Sequence, residues 1–452
     1  MPSLLEITTH FFLQIAVILV VYRLLWMVFR RLAQVQVVAI MVAGFVLGPS
    51  LLGWLWPAGQ QWLFPTVLAV GDATVTHPNL TAIYVVGQLG LVLYMFIVGA
   101  SFDVGIFRSH LREAGATASA GIGIPLVLGG AIGWWMVSQG GYFTDKVSGW
   151  QGGLFIGSAI AITAFPMLAW IIYDSGLLHT RLGTLSLSCA AFDDVCSWML
   201  LAAVVATTKA NMFGAVLAIG GGAVYLLFMV TIGRKLLARF ADGRPARRDA
   251  ERSGGLPITP LTTVILVIVL GAWFTDYVGI YSVFGAFVAG TVMPRGPFLE
   301  SIRERFEPLV AYLLLPGFFI YSGLNTELSL ILEPGVLVMA LLVLLLSFAG
   351  KFGAIGLAAL VQGMSRRESM AMGALANARG LMELILLNIG LSAGLITGEL
   401  YTILAIMAIV TTFVATPVLR MVERSAWRKG VVFGPTGEEP LPALGEEDRV
   451  RT

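Results

Sequence analysis

Charge is scarce in this chain. Lys, Arg, Asp and Glu make up 12% of 452 residues, histidine occurs 4 times and cysteine twice. So few charged groups cannot coat the surface of a soluble protein this long, which excludes a water-soluble globular enzyme. Cys189 and Cys196 lie on one apolar stretch; seven residues of helix separate their α-carbons by about 10.5 Å, beyond disulfide reach, so they are expected to be plain packing residues. His10, His77, His110 and His179 fall near the ends of different apolar segments, without the spacing of metal ligands. The chain has no Gly-x4-Gly-Lys-Ser/Thr loop, which argues against an ATP-driven pump. A net charge of +2, with the basic cluster Arg244, Arg247, Arg248 and Arg252 serving to set topology, gives no reason to expect a nucleic-acid partner, and nothing calls for a cofactor.

What the chain has is apolar length. Hydrophobic residues make up 58% of it, and windows of about 18 or more apolar residues read as spans of a bilayer. Thirteen are expected, near 8–29, 35–54, 82–101, 113–138, 151–172, 183–207, 211–233, 258–275, 279–294, 309–325, 335–361, 368–391 and 399–421. The fold class is therefore all-α and polytopic, a lipid-embedded protein of 13 transmembrane helices. Of 28 basic residues, all but Lys146, Lys209, Lys351 and Arg379 lie at span ends on one face. Cytoplasmic loops accumulate Lys and Arg, so the amino terminus is expected outside and the carboxyl terminus in the cytoplasm. The opening residues, with Glu6 and no Lys or Arg before a long apolar run, do not read as a cleaved signal. The stretch from Gly53 to Leu80, with Trp54, Trp56 and Trp62, is expected to be interfacial or re-entrant on the outer face.

A polar, Arg-rich break near Arg239 to Pro257 leaves six spans on each side of the seventh. Six helices return a chain to the face where it began, so one linker helix inverts the second set, predicting a 6+1+6 inverted repeat. Its two interrupted members should be the fifth and twelfth spans, crossing at the midplane. Pro166, in Thr163-Ala164-Phe165-Pro166, interrupts the first, as a kink or as unwound backbone. Asn377, Arg379, Gly380 and Glu383 interrupt the second. Unwound backbone at that depth can supply carbonyl ligands to a cation, and Thr163 joins the candidate ligands.

Five ionisable residues lie well inside spans: Asp193, Asp194, Lys351, Arg379 and Glu383. Three negative charges against two positive leave a sum of minus one, which one monovalent cation or one proton would cancel. Charges at membrane depth mark ion pathways. Neighbours on a helix point about 100° apart, so the two aspartates should differ in role. Asp194 is assigned as the carboxylate that binds the transported Na+ or K+ and accepts protons, and Asp193 as the partner of Lys351. Arg379 and Glu383 can pair at i to i+4 or across helices. Whether Lys351 is a fixed tie or releases its proton during a cycle stays open.

At these residues the chain resembles the monovalent cation:proton antiporter superfamily, in the branch holding bacterial sodium/proton and potassium/proton exchangers and plant cation/proton exchangers. The stretches carrying the resemblance are Leu47 to Gly53, Thr163 to Pro166, Ala190 to Val195, Gly285 to Gly290, Leu315 to Phe319, Lys351 and Asn377 to Glu383. The resemblance implies pH homeostasis by antiport in a bacterial inner membrane. It also implies a homodimer in which a core moves like an elevator against a scaffold. Scaffold helices would occupy 1–112 and 258–330, core helices 113–207 and 331–421, and the linker helix with its basic loop 208–257. With a tail of only 422–452, the nucleotide-binding regulatory domain that the resemblance associates with many relatives is not expected. Such exchangers are not enzymes. A passive cation channel, or a sodium-coupled solute symporter on a similar fold, is the alternative.

Overall fold

The computed structural model describes residues 4–427, apart from 33, 35, 66, 71–72, 102–110, 176, 178–179, 209–211, 242–257, 325 and 327. The basic cluster Arg244 to Arg252, His110, His179, Lys209 and the tail beyond 427 lie outside the described residues.

In an apolar surround every backbone N–H and C=O must be paired within the chain, and helices do this segment by segment. The order is α1 (Leu4–Arg31), α2 (Gln36–Leu47), the short α3 (Leu52–Leu55) and α4 (Pro57–Leu63), a two-stranded antiparallel hairpin β1 (Val67–Val70) and β2 (Ala73–Thr76), then α5 (Pro78–Ser101) and α6 (Leu111–Gln139). A broken pair follows, α7 (Gly149–Ala161) and α8 (Phe165–Asp174), then α9 (Arg181–Thr208). Next come α10 (Met212–Phe228) and α11 (Arg234–Ala241), joined through a π turn, then α12 (Ile258–Val278) and α13 (Ser282–Thr291). A second π turn joins α14 (Pro297–Leu309) to α15 (Leu315–Leu324), followed by α16 (Pro334–Val361). A second broken pair, α17 (Arg366–Leu375) and α18 (Leu381–Ser392), precedes α19 (Gly398–Trp427).

Ten helical runs among the described residues are long and apolar enough to cross a membrane, against the expected thirteen. The other three expected segments fall short for visible reasons: the fifth and twelfth are each cut in two, and α13 has only 10 residues. The segment expected to be interfacial or re-entrant, Gly53 to Leu80, consists of α4, the hairpin and the ends of α3 and α5.

Two groups of helices pack within themselves. In one, α6 lies against α7 and α16, α16 against α17 and α19, and α9 against α6, α7, α8, α17 and α18. In the other, α15 lies against α2 and α5, and α13 against α5 and α12. Small residues set the closest approaches, as in membrane bundles generally. A Cβ on Gly157 of α7 would stand 2.6 Å from the Leu126 carbonyl oxygen of α6, and one on Gly44 of α2 would stand 2.5 Å from that of Phe319 in α15. The groups meet where Trp198 of α9 packs on Phe284 and Phe287 of α13, at ring-centre distances of 5.5 and 6.4 Å. They meet again where Asn388 of α18 donates to Ser322 Oγ of α15 at 2.8 Å.

Candidate functional site

Both broken pairs begin alike. Ser148 and Gln151 form a capping box at α7, as do Ser365 and Glu368 at α17, each pairing donors that a helix start leaves open. Both helices then stop short. A continuous helix through the first break would need residue 166 to donate to Ile162 O, and Pro166 has no N–H. Ile162 is extended, and Pro166 falls in the first turn of α8, where a missing donor costs no helical bond. The proline therefore marks a true interruption rather than a bend within one helix.

The two breaks lie against each other. Ala164 N donates to Ala378 O at 3.0 Å, and Thr163 Oγ1 to Ala376 O at 3.1 Å. Gly380 is required by this approach: a Cβ there would stand 2.8 Å from Met167 Cγ and 3.2 Å from Ala164 Cβ. Its φ of 177° is ordinary extended backbone.

Ending α7 in the interior exposes its last carbonyls, the negative end of the helix dipole. Ser158 O accepts from Ile162 N at 3.1 Å. Arg379 serves the next two, with Nη1 to Ala159 O at 2.6 Å and Nη2 to Ile160 O at 2.6 Å, and Lys351 Nζ donates to Ala161 O. Two buried cations thus cap one half-helix. Each has an acidic partner as well. Lys351 Nζ lies 2.7 Å from Asp193 Oδ2, and Arg379 Nη1 lies 3.8 Å from Glu383 Oε2. All four side chains are buried.

The Arg379–Glu383 geometry differs from a pair on one helix face. Arg379 stands in the break, its N–H donating to Thr412 Oγ1 at 2.8 Å, while Glu383 sits in the first turn of α18. There an acidic side chain suits the positive end of the dipole. The fork of Arg379 reaches Ser347 Oγ at 2.7 Å. Ser347 and Thr412 did not enter the sequence reading, although Ser347 lies four residues before Lys351, one turn away on the same helix face.

Asp194 is different in kind. It is 0% exposed, and neither carboxylate oxygen makes a hydrogen bond of normal geometry among the described residues; the Trp198 indole, whose buried N–H is likewise unpaired, is the donor beside it. Asp193 Oδ1, Ser186 Oγ and Asn377 Oδ1 are also buried and unpartnered there, Asn377 having committed its N–H to Gly373 O at 2.9 Å. A narrow cavity of about 10 Å³, near the minimum for one water, is lined by Thr163, Ser186, Cys189, Asp193 and Met372 among others. Buried oxygen atoms with no donors are what a hard cation such as Na+ or K+ asks for, and an unpaired carboxylate can equally take a proton.

A family model described as "Sodium/hydrogen exchanger, transmembrane" matches residues 15–424. This chain belongs to the sodium/hydrogen exchanger family. Among its exchanger relatives, Na(+)/H(+) antiporter NhaS4 of Synechocystis sp. is 37% identical over 407 residues, covering 90% of this chain and 95% of that protein. Cation/H(+) antiporter 18 of Arabidopsis thaliana is 34% identical over 92% of this chain, and K(+)/H(+) antiporter 1 of Saccharomyces cerevisiae 27% identical over 94%. The exchanger chain spans only about half the length of those two, 49% and 47%. Among solved structures it is similar to the sodium proton antiporter MjNhaP1 of Methanocaldococcus jannaschii, with a TM-score of 0.62 at 15% identity over 97% of this chain and 100% of that one. That likeness bears on the fold alone. The expected superfamily is thus shown, and the relatives are transporters rather than enzymes.

Proposed function

We propose that this exchanger is a secondary active Na+ or K+/proton antiporter in which cation and proton compete for Asp194. The observation carrying this reading is the contrast between two adjacent buried carboxylates: Asp193 is held by Lys351 at 2.7 Å, and Asp194 has no partner among the described residues. With Asp193 and Glu383 matched by Lys351 and Arg379, one negative charge is left over, and a proton or an alkali cation cancels it. Both together would overcompensate, so each displaces the other, which is the coupling an antiporter needs. Thr163, which lines the cavity beside Asp193, adds an oxygen ligand.

In this reading the thirteen expected segments all cross the bilayer, two of them as the broken pairs, whose contact lies at midplane within a 6+1+6 inverted repeat. The matched capping boxes of α7 and α17 support that repeat. The six segments gathered around α6, α9 and α16 form a moving core, which rides as an elevator on a scaffold built around α2, α5, α13 and α15 and paired across a homodimer. The separate packing of the two groups supports this division. The chain would sit in a bacterial inner membrane with its amino terminus outside. The test is cation-driven collapse of a pH gradient in proteoliposomes. Asp194→Asn abolishes it, and normal exchange by that variant would refute the assignment.

A further inference from the structure

The cavity beside Asp193 carries chemistry that alkali-cation transport does not call for. Ser186, Cys189 and Asp193 recur at i, i+3 and i+7 along α9, one stripe of a helix face, and all three line the cavity. Met372 of α17 lines it too. A cysteine and a methionine thus line the same water-sized space as Asp193 and Ser186, whose Oδ1 and Oγ are buried with no hydrogen-bond partner among the described residues. Cys189 is 4% exposed, and its thiol makes a long contact of 3.4 Å to Ala114 O and lies beside the Thr117 hydroxyl.

Hard cations gain little from sulfur, whereas soft ones prefer it strongly. We propose that this cavity is also a binding site for a soft monovalent metal cation, Ag+ or Cu+, held by Cys189 Sγ and Met372 Sδ, and that occupancy blocks transport. Such ions carry the same charge as the cargo and fit a space of one water. Asp193 supplies negative charge next to the sulfur atoms. When the bond forms, Cys189 Sγ gives an electron pair to the metal and its proton leaves to water through the cavity; the metal keeps its oxidation state and no oxidant is consumed. Sulfur then holds the ion far longer than oxygen ligands hold Na+ or K+. The blocking half of this proposal rests on the antiport reading above; the binding half does not.

The test uses the purified full-length protein and silver nitrate in chloride-free buffer, with bound metal measured by equilibrium dialysis and elemental analysis. Wild type is expected to hold a tightly bound Ag+ that Cys189→Ser loses and Cys196→Ser keeps. Met372→Leu should weaken it at least about tenfold, the usual scale for a perturbed metal site. Equal silver binding by wild type and Cys189→Ser, or loss of the site on removing Cys196, would overturn the assignment. In proteoliposomes, each variant compared with its own uninhibited rate, silver should inhibit wild type and Cys196→Ser but not Cys189→Ser. Silver bound through Cys189 without inhibition would overturn the blocking half of the proposal, whereas normal antiport with no Cys189-dependent binding would contradict the soft-metal site alone.

Discussion

Asp193 and Asp194 are neighbours on α9 and both are buried, yet replacing each by asparagine is expected to move stability in opposite directions. Asp193→Asn leaves Lys351, 0% exposed, without its acidic partner. Breaking a buried pair by removing one member costs about 3–5 kcal/mol. Asp194→Asn removes a charge that no cationic side chain among the described residues offsets, the Trp198 indole being its one neighbouring donor. The effective penalty of an unpaired buried ion is several kcal/mol, and the replacing amide still carries an unmet hydrogen-bonding cost of about 1–3 kcal/mol. The difference is a gain on the order of 2 kcal/mol. Thermal unfolding of purified protein in cation-free alkaline buffer should therefore rank Asp194→Asn above wild type and wild type above Asp193→Asn. Adding Na+ or K+ at a hundred times its dissociation constant should stabilise wild type by about 2.7 kcal/mol and leave Asp194→Asn unmoved. If Asp194→Asn unfolds as early as Asp193→Asn, or still responds to cation, the contrast between a paired and an unpaired carboxylate is wrong.

Arg379→Met should destabilise by about 3–5 kcal/mol, because it uncovers the Ala159 and Ile160 carbonyls and strands Glu383; Arg379→Lys should restore only part, since one ammonium cannot reproduce a fork, and chemical denaturation measures both. If Lys351 releases its proton during the cycle, Lys351→Gln should weaken the response of transport to an imposed membrane potential, and an unchanged response would leave it a structural tie. His77, one residue before α5, is held below the ordinary histidine range by burial and then by His10. A histidine depressed on folding stabilises only while neutral, so that contribution is present above the unfolded pKa of about 6.5 and lost as pH falls through it. The loss of melting temperature between pH 8 and pH 5.5 should accordingly shrink in His77→Gln. Gly157→Val should cost about 1–3 kcal/mol or more by overpacking against the Leu126 carbonyl, and detergent-resistant melting would register it.

The sequence by itself determined what depends on composition and spacing along one segment. Low charge and long apolar runs required a bundle of lipid-crossing helices, and the absent N–H of Pro166 required a helix to fail there. Five charges inside apolar runs identified a site region, because so costly a placement needs compensation somewhere nearby. What compensates them was decided in three dimensions. The capping of α7 by Lys351 and Arg379 joins residues about two hundred positions apart, with bonds to Ala161, Ala159 and Ile160, and a main-chain carbonyl leaves no mark in a sequence. The span count shows the same limit: apolar windows run straight through Thr163 and Asn377, because hydropathy records burial and not whether the backbone is helical. Gly380 is legible as glycine, but its reason is the second break pressed against Ala164 and Met167. Local chemistry is written in order along the chain; contact between distant segments is set by how helix faces pack, and only the folded bundle fixes that.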